Sequence, residues 1–414
     1  MHSFNVDSSI LDRKKIEIAI TTVCHNKKKK HGKITKKYKQ AQHILNNLNK
    51  YVDEIQEILS QYYEKKRYEQ LREKHPELPE KCFPKAFVPA APRKFKLVCD
   101  NGKEREISCV PLFPDQIIHR IIVNASKDVF LKCFYSRSCG SIPGRGTHYG
   151  VKYIKKFIKH SVHSSPTKIK NAAQLDVRKC YQHVNHRVLK SMLRKKFRGV
   201  LFIWLCYDII DSHNDAEVGE EARGLPIGYD TSHWFCNFYL TPIDYYIKSQ
   251  PDITYHVRYM DDMDIFAKSK KRLHITVKGV MAMAKERGME IKHTRQVFRY
   301  DYITKQLDKK GKFKHRGRAV DMLGFKFYRD KIRLRKHSSL KILRTARKIN
   351  KLSKSRKPIP VKLARSLMSR LGALRHCDSK EFFAKSIKSL VKIKKIKEII
   401  RNESRKYDYA KQAV

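Results

Sequence analysis

No stretch of this sequence approaches the roughly 18–20 consecutive apolar residues that a membrane-spanning helix requires. The N-terminus, MHSFNVDSSILDRKK, lacks an apolar h-region, so no secretory signal is expected. The ten cysteines form no CxxC pair, which excludes a zinc ribbon or knuckle. Most of them stand beside apolar residues, as buried free thiols do in a reducing cytosol. Acidic charge is the scarcest commodity: 40 Asp and Glu face 92 Lys and Arg in 414 residues, a formal net charge of +52. Such a surplus repels itself and makes sense chiefly beside a polyanion. Nucleic acid is the first candidate. An anionic membrane surface would call for an amphipathic anchor or a lipidation site, and neither is found. Apolar residues make up 41% of the chain, enough for a real core, so this is not a disordered basic tail.

Residues 1–33 are polar and end in the run Lys27-Lys28-Lys29-Lys30. From about Ile34 to Leu71 there is neither Gly nor Pro, and apolar residues recur at steps of three and four (Ile44, Leu48, Tyr51, Val52, Ile55, Ile58, Leu59, Tyr62), which predicts one long amphipathic helix. Such a helix either packs on its own domain or serves as an interaction surface for RNA or a partner protein. Pro76, Pro79, Pro84, Pro89 and Pro92 then mark a linker or extended strap. Lys94–Val110 reads as a hairpin about Asn101-Gly102. Helices are expected near 117–130, 151–161, 185–213, 232–247 and 270–287, with a strand near Ala172–Val177. Ile253–Ala267 reads as two strands about a tight turn, and residues 296–335 as short strands. From Lys336 onward the pattern is helical. Residues 331–414 hold 27 Lys and Arg against 5 Asp and Glu, a surplus of 22 that suits a phosphate backbone running past it.

The sharpest local feature is Arg258-Tyr259-Met260-Asp261-Asp262-Met263-Asp264. In an ordinary protein an Asp-Asp pair is a solvated turn. Here apolar runs flank it on both sides, so the turn leaves a buried hairpin. Two anions side by side raise each other's pKa, and a divalent cation removes that cost. Leu175-Asp176-Val177 ends a second apolar strand. Side by side, strands carrying Asp176 and Asp261 would build an oxygen cage for Mg²⁺, as two-metal phosphoryl transfer uses.

At this point the chain resembles reverse transcriptases. Tyr259-Met260-Asp261-Asp262 matches their palm turn, and Asp176 with Tyr181 matches the other catalytic palm motif. Arg105-Glu106-Ile107 followed by Pro111–His119 resembles the fingers motif. Gly224-Leu225-Pro226-Ile227-Gly228-Tyr229-Asp230-Thr231-Ser232 resembles the palm loop that faces template and nucleotide, and Met322-Leu323-Gly324-Phe325 the primer-grip strand. The motifs occur in family order over about residues 95–335.

The resemblance implies an α+β right-hand polymerase fold: an N-terminal helical basic extension with a Pro-rich linker (1–93), fingers (94–165), a palm with the YMDD turn (166–335) and a basic helical thumb (336–414). It implies RNA-directed DNA synthesis. Asp176, Asp261 and Asp262 would be catalytic and, with Val177 beside the first, would hold two Mg²⁺, with Mn²⁺ an alternative ion. Tyr181 would be the steric gate against a ribose 2′-hydroxyl. Arg105 would hold the triphosphate, Ile227 and Gly228 would line the nucleotide site, and Lys292 falls where the family places a general acid for pyrophosphate. Tyr259, Met260, Gly324 and Lys336 would touch nucleic acid. Apart from the resemblance, the glycine-rich loop Cys139–Thr147 with Arg145 reads either as a phosphate nest that contacts the template strand or as a plain loop.

Within the family, Ile227-Gly228-x-x-x-Ser232 resembles the enzymes of diversity-generating retroelements and of antiphage defence. The retroelement enzymes usually carry Gln after that Ser; here it is His233. No endonuclease or RNase H segment is recognised after the thumb. The implied partners are an RNA template, a dedicated noncoding RNA, dNTPs and the cDNA product, in the cytoplasm of a bacterial or phage-infected cell and away from membranes. An accessory protein, or a second copy meeting the N-terminal helix, is a further expectation. The rival reading is an RNA-binding, maturase-like protein that keeps the fold without the chemistry; it would be expected to lose a metal carboxylate, and all three are present. An RNA-templated RNA polymerase would need a permissive gate, against which Tyr181 argues.

Overall fold

The polar leader already holds a helix. In the computed structural model, which describes residues 3–27, 34–98, 102, 104–162, 169–307, 311 and 313–412, Arg13–His25 (α1) buries Ile16, Ala19, Ile20, Val23 and Cys24. Asp12 caps it by accepting from the Lys15 backbone N–H at 2.9 Å. Its apolar positions have helical spacing, but charged neighbours dilute the pattern. The long helix expected over Ile34–Leu71 is two helices, Lys36–Asn46 (α2) and Leu48–Lys74 (α3). They part at Asn47, whose backbone leaves the helical region (φ −120°, ψ 37°) while its side-chain amide donates to the His43 carbonyl at 2.9 Å. A side chain that competes for backbone partners in this way favours a break. Lys28, Lys29 and Lys30 lie outside the described residues.

The chain divides into two compact units. The first comprises residues 1–136, 177–246 and 280–291; the second comprises 137–176, 247–279 and 292–414.

In the first unit the Pro-rich segment is a strap on α3. Phe87 is buried against Tyr62, and Lys85 Nζ bonds Glu57 at 2.6 Å. Arg93–Val98 (β1) and Glu104–Cys109 (β2) pair antiparallel, from Arg93 opposite Cys109 to Val98 opposite Glu104. Asn101 of the expected turn lies outside the described residues. Ile117–Cys133 (α4) supplies Phe130 to an aromatic cluster with Phe134, Phe197, Trp234, Phe235 and Phe238. α3 is built into this unit: Tyr62 donates its hydroxyl to Asp208 at 2.8 Å, and Lys66 pairs with the same carboxylate at 2.9 Å. Asp208 lies on the helix Val200–Asp211, whose first turn is capped from afar by Asp7, accepting from the backbone N–H groups of Leu201 and Phe202 at 3.1 and 2.9 Å.

The second unit is built on a four-stranded antiparallel sheet. Asn171–Asp176 (β3), Ile253–Tyr259 (β4), Asp262–Ala267 (β5) and Gln296–Arg299 (β6) stand in the order β4-β5-β3-β6. Thr147–Val162 covers it, with Ile154 and Phe157 packed against Val257, Phe266 and Ala172. Val320–Met322, Phe325–Phe327 and Ile332–Leu334 form a smaller sheet, entered through a two-residue turn. Leu323 and Gly324 both take positive φ there (56° and 86°), as tight hairpins demand. The helices Lys336–Lys354, Val361–Gly372 and Ile393–Gln412 close their own core on Ile342, Ala346, Ile349, Leu367 and Ile387. Among the described residues no helix is long and apolar enough to cross a membrane.

Candidate active site

Strand periodicity places the carboxylates of the second unit. In the β3–β5 ladder Asp176 stands directly opposite Asp262, and Gln174 opposite Asp264; in β4–β5, Tyr259 stands opposite Asp262. Met260 and Asp261 make the two-residue turn, with Met260 at φ 55°. That conformation strains a residue with a side chain, and a buried arginine braces it. Arg258, fully buried, donates from Nη1 to the Met260 carbonyl at 3.0 Å and from Nη2 to Ser138 Oγ at 3.1 Å. The backbone N–H of Cys139 donates to the Arg258 carbonyl at 2.8 Å, and Gly140 abuts Met260 so closely that a Cβ would lie 2.5 Å from Cγ. The glycine-rich loop that carries Arg145 thus supports the turn through its first residues. The sequence places Arg258 at the head of this motif but does not show its bracing role; the signal was a lone charge at the end of a buried strand.

The electrostatics follow from this crowding. Asp262 still reaches solvent, yet its pKa is pushed up to about 6, first by desolvation and then by Asp261 and Asp176, with Lys292 and Arg335 pulling the other way. Asp264 is fully buried and rises to about 8, mainly by burial, although Gln174 Nε2 donates to its Oδ1 at 3.0 Å. Lys292 Nζ donates to Asp176 Oδ2 at 2.7 Å, and Asp176 Oδ1 is buried without a partner. Asp176, Asp262, Asp264, Asp321, Arg318 and Arg335 line part of a cleft of about 310 Å³.

The three expected carboxylates lie on two adjacent strands and the turn between β4 and β5. Among the described residues, though, no three acidic, His or Cys side chains converge as a closed metal cage. Uncompensated carboxylates repel, and at Asp176 the charge of Lys292, 2.7 Å away, offsets part of that repulsion. The donor chemistry still fits a hard divalent cation: carboxylate oxygens only, one of them orphaned, and a carboxyl raised by desolvation and then by its anionic neighbours.

The remaining residues expected in the second unit fall as follows. Tyr259 packs on the core of the unit and Met260 is buried. Gly324 accepts from the Arg335 backbone N–H at 3.0 Å, Lys336 is exposed at the start of its helix, and Arg145 is half-buried.

The first unit gathers the others. Arg105 is exposed on β2. Three residues on, the Ser108 N–H donates to the Ile227 carbonyl at 2.7 Å, and a Cβ on Gly228 (φ 119°) would lie 2.4 Å from the Ser108 carbonyl oxygen, so this position requires glycine. The Leu225 N–H donates to the Tyr181 carbonyl at 2.8 Å. From behind, His119 Nδ1 meets Thr231 Oγ1 at 2.9 Å and Arg120 pairs with Asp230 at 2.9 Å. Burial lowers His119 to about 3, so it stays neutral. Tyr181, half-buried, shares a 2.6 Å hydrogen bond between its hydroxyl and His233 Nδ1. Val177 is buried and bridges to Ile291.

Residues 92–327, more than half of the chain, match the family model described as reverse transcriptase (RNA-dependent DNA polymerase). The chain belongs to the reverse transcriptase family. Its fold is accordingly the α+β right-hand polymerase fold, and the expectation drawn from the ordered motifs is met. Among curated proteins the chain is similar to Protein YkfC of Escherichia coli (strain K12), 24% identical over 166 residues, 40% of this chain and 42% of that one. Among solved structures it is similar to apo telomerase from Candida tropicalis (14% identity, TM-score 0.40, 60% of this chain and 48% of that chain). A further similarity is to telomerase from Candida albicans in complex with a TWJ fragment of telomeric RNA (14%, TM-score 0.37, 70% and 49%). The chain thus spans about two fifths of YkfC and half of the telomerase chains.

Proposed function

We propose that this reverse transcriptase family member is an RNA-directed DNA polymerase, copying an RNA template into cDNA by two-metal nucleotidyl transfer. The observation that carries the reading is the opposition of Asp176 and Asp262 across β3–β5, with Asp261 in the adjoining turn. Asp176, Asp261 and Asp262, with the backbone at Val177, would hold two divalent ions, Mg²⁺ by the hardness of the oxygen donors. Bound there, the ions would supply the positive charge that activates a primer 3′-hydroxyl and offsets the triphosphate.

The chain's own residues do the rest. Lys292, whose Nζ lies 2.7 Å from Asp176 Oδ2, would give a proton to departing pyrophosphate. Arg105 presents a planar fork suited to phosphate oxygens. Gly228, whose missing Cβ lets the loop sit close on the Ser108 carbonyl, would line the nucleotide site with Ile227, and Tyr181 would exclude a ribose 2′-hydroxyl. Arg145, Tyr259, Met260, Gly324 and Lys336 would contact template and primer. The surplus charge of residues 331–414 would hold the duplex and a dedicated structured RNA.

The Ile227-Gly228-x-x-x-Ser232 loop supports placing the enzyme in a phage-defence or diversity-generating system of a bacterial cell. Primer extension on an RNA template with dNTPs, run with and without EDTA, tests the reading. Extension lost on chelation is expected; extension that survives it would overturn the metal mechanism.

A further inference from the structure

We propose that His233 is a positioning residue for the sugar gate: by holding the Tyr181 hydroxyl it fixes the ring of the gate and so sets how strongly ribonucleotides are rejected. This rests on the reading of Tyr181 as the gate given above.

The geometry argues for it from both sides of the bond. Tyr181 Oη and His233 Nδ1 are 2.6 Å apart, and the two rings meet edge to face, with centroids at 5.8 Å and planes at 88°. Tyr181 lies in the short 3₁₀ turn Cys180–His183, entered through Lys179 at φ 43°. Its main chain is held by Leu225, but its ring is only half-buried and has two side-chain torsions to lose. His233 stands on firmer ground. It lies in the first turn of the helix Asp230–Ser249, where Thr231, Ser232, Trp234 and Phe235 are buried and Asn237 Nδ2 donates to the His233 carbonyl at 3.0 Å. A rigid helix therefore presents the acceptor, and the half-buried ring is the partner that gains order.

Burial lowers the pKa of His233. A neutral imidazole has one ring nitrogen free to accept, and in the tautomer with the proton on Nε2 that nitrogen is Nδ1, which then takes the phenol hydrogen. A steric gate discriminates by where its edge stands. A ring pinned at its far end cannot swing aside for a 2′-hydroxyl, whereas an unpinned ring can.

The test is the ratio of kcat/KM for a dNTP to that for the matching rNTP, in primer extension on an RNA template. It compares wild type, Tyr181→Ala, Tyr181→Phe, His233→Leu and the Tyr181→Phe/His233→Leu double variant. Tyr181→Phe removes one oxygen and keeps the ring, so it reads the bond even if His233→Leu folds poorly. Tyr181→Phe and His233→Leu are each expected to lower the ratio roughly three- to tenfold, the size of one hydrogen bond. The double variant should be no worse than either single one. A ratio unchanged in Tyr181→Phe while Tyr181→Ala lowers it would overturn the positioning role and leave the gate standing, as would fully multiplicative effects in the double variant. An unchanged ratio in Tyr181→Ala would instead remove the gate itself.

Discussion

Asp176 faces Asp262 across the β3–β5 ladder while the Lys292 ammonium sits 2.7 Å from Asp176 Oδ2. One cation made by the protein thus occupies part of the charge demand that a divalent ion would meet. Replacing Lys292 by Met should ease metal entry and remove a proton source together. The half-saturating Mg²⁺ concentration for nucleotide incorporation is expected to fall by up to about fivefold, the scale of a half-exposed ion pair, while kcat also falls. An unchanged Mg²⁺ requirement would mean that Lys292 does not compete with the metal.

Arg258 is expected to matter more for the turn than for charge balance. Its guanidinium bonds the Met260 carbonyl and Ser138 from a fully buried position. Arg258→Met removes both of these hydrogen bonds, which should cost about 2–3 kcal/mol in urea denaturation and lower incorporation with it. A loss under about 0.5 kcal/mol, small beside one such hydrogen bond, would show that the turn holds itself.

Gly228→Ala places a methyl group 2.4 Å from the Ser108 carbonyl oxygen at φ 119°. The loop must shift off β2, at a strain of roughly 1–3 kcal/mol. Steady-state kinetics should show a higher KM for dNTPs, with a smaller change in kcat. An unaltered KM would contradict the role given to this loop.

Arg344, Arg347 and Lys348 are exposed on the helix Lys336–Lys354. Changing all three to Gln should weaken duplex binding at every sequence alike. The plot of log K against log salt should flatten by about 0.9 for each phosphate no longer neutralised. Unchanged binding, with an unchanged slope, would place the duplex elsewhere.

Much of this is legible in the sequence alone, and the reasons differ by element. The β4–β5 hairpin and the strand ending at Asp176 announce themselves by short apolar runs about a two-residue turn, whereas Met322-Leu323-Gly324-Phe325, expected as one strand, turns at Leu323-Gly324 between two strands. The ordered motifs named the family. What stayed hidden depends on pairings between residues far apart in the chain. No local pattern says that Arg258 will reach Ser138, or that Tyr181 will meet His233 across 52 residues. The break at Asn47 turns on one side chain bonding its own helix, which a count of apolar spacings does not register. The carboxylates were legible as neighbours. The seating of Lys292 on Asp176 was not, because charge compensation is settled by whichever cation folding brings closest.

The most direct measurement is dNTP incorporation on an RNA template by the Asp261→Asn/Asp262→Asn variant, with RNA binding measured on the same preparation. Asn keeps the size of each side chain and removes its charge. Incorporation is expected to fall by at least about 1,000-fold, roughly 4 kcal/mol of lost transition-state stabilisation, while RNA affinity stays within about twofold. Incorporation that persists near the wild-type rate would contradict the assignment of polymerase chemistry to this turn.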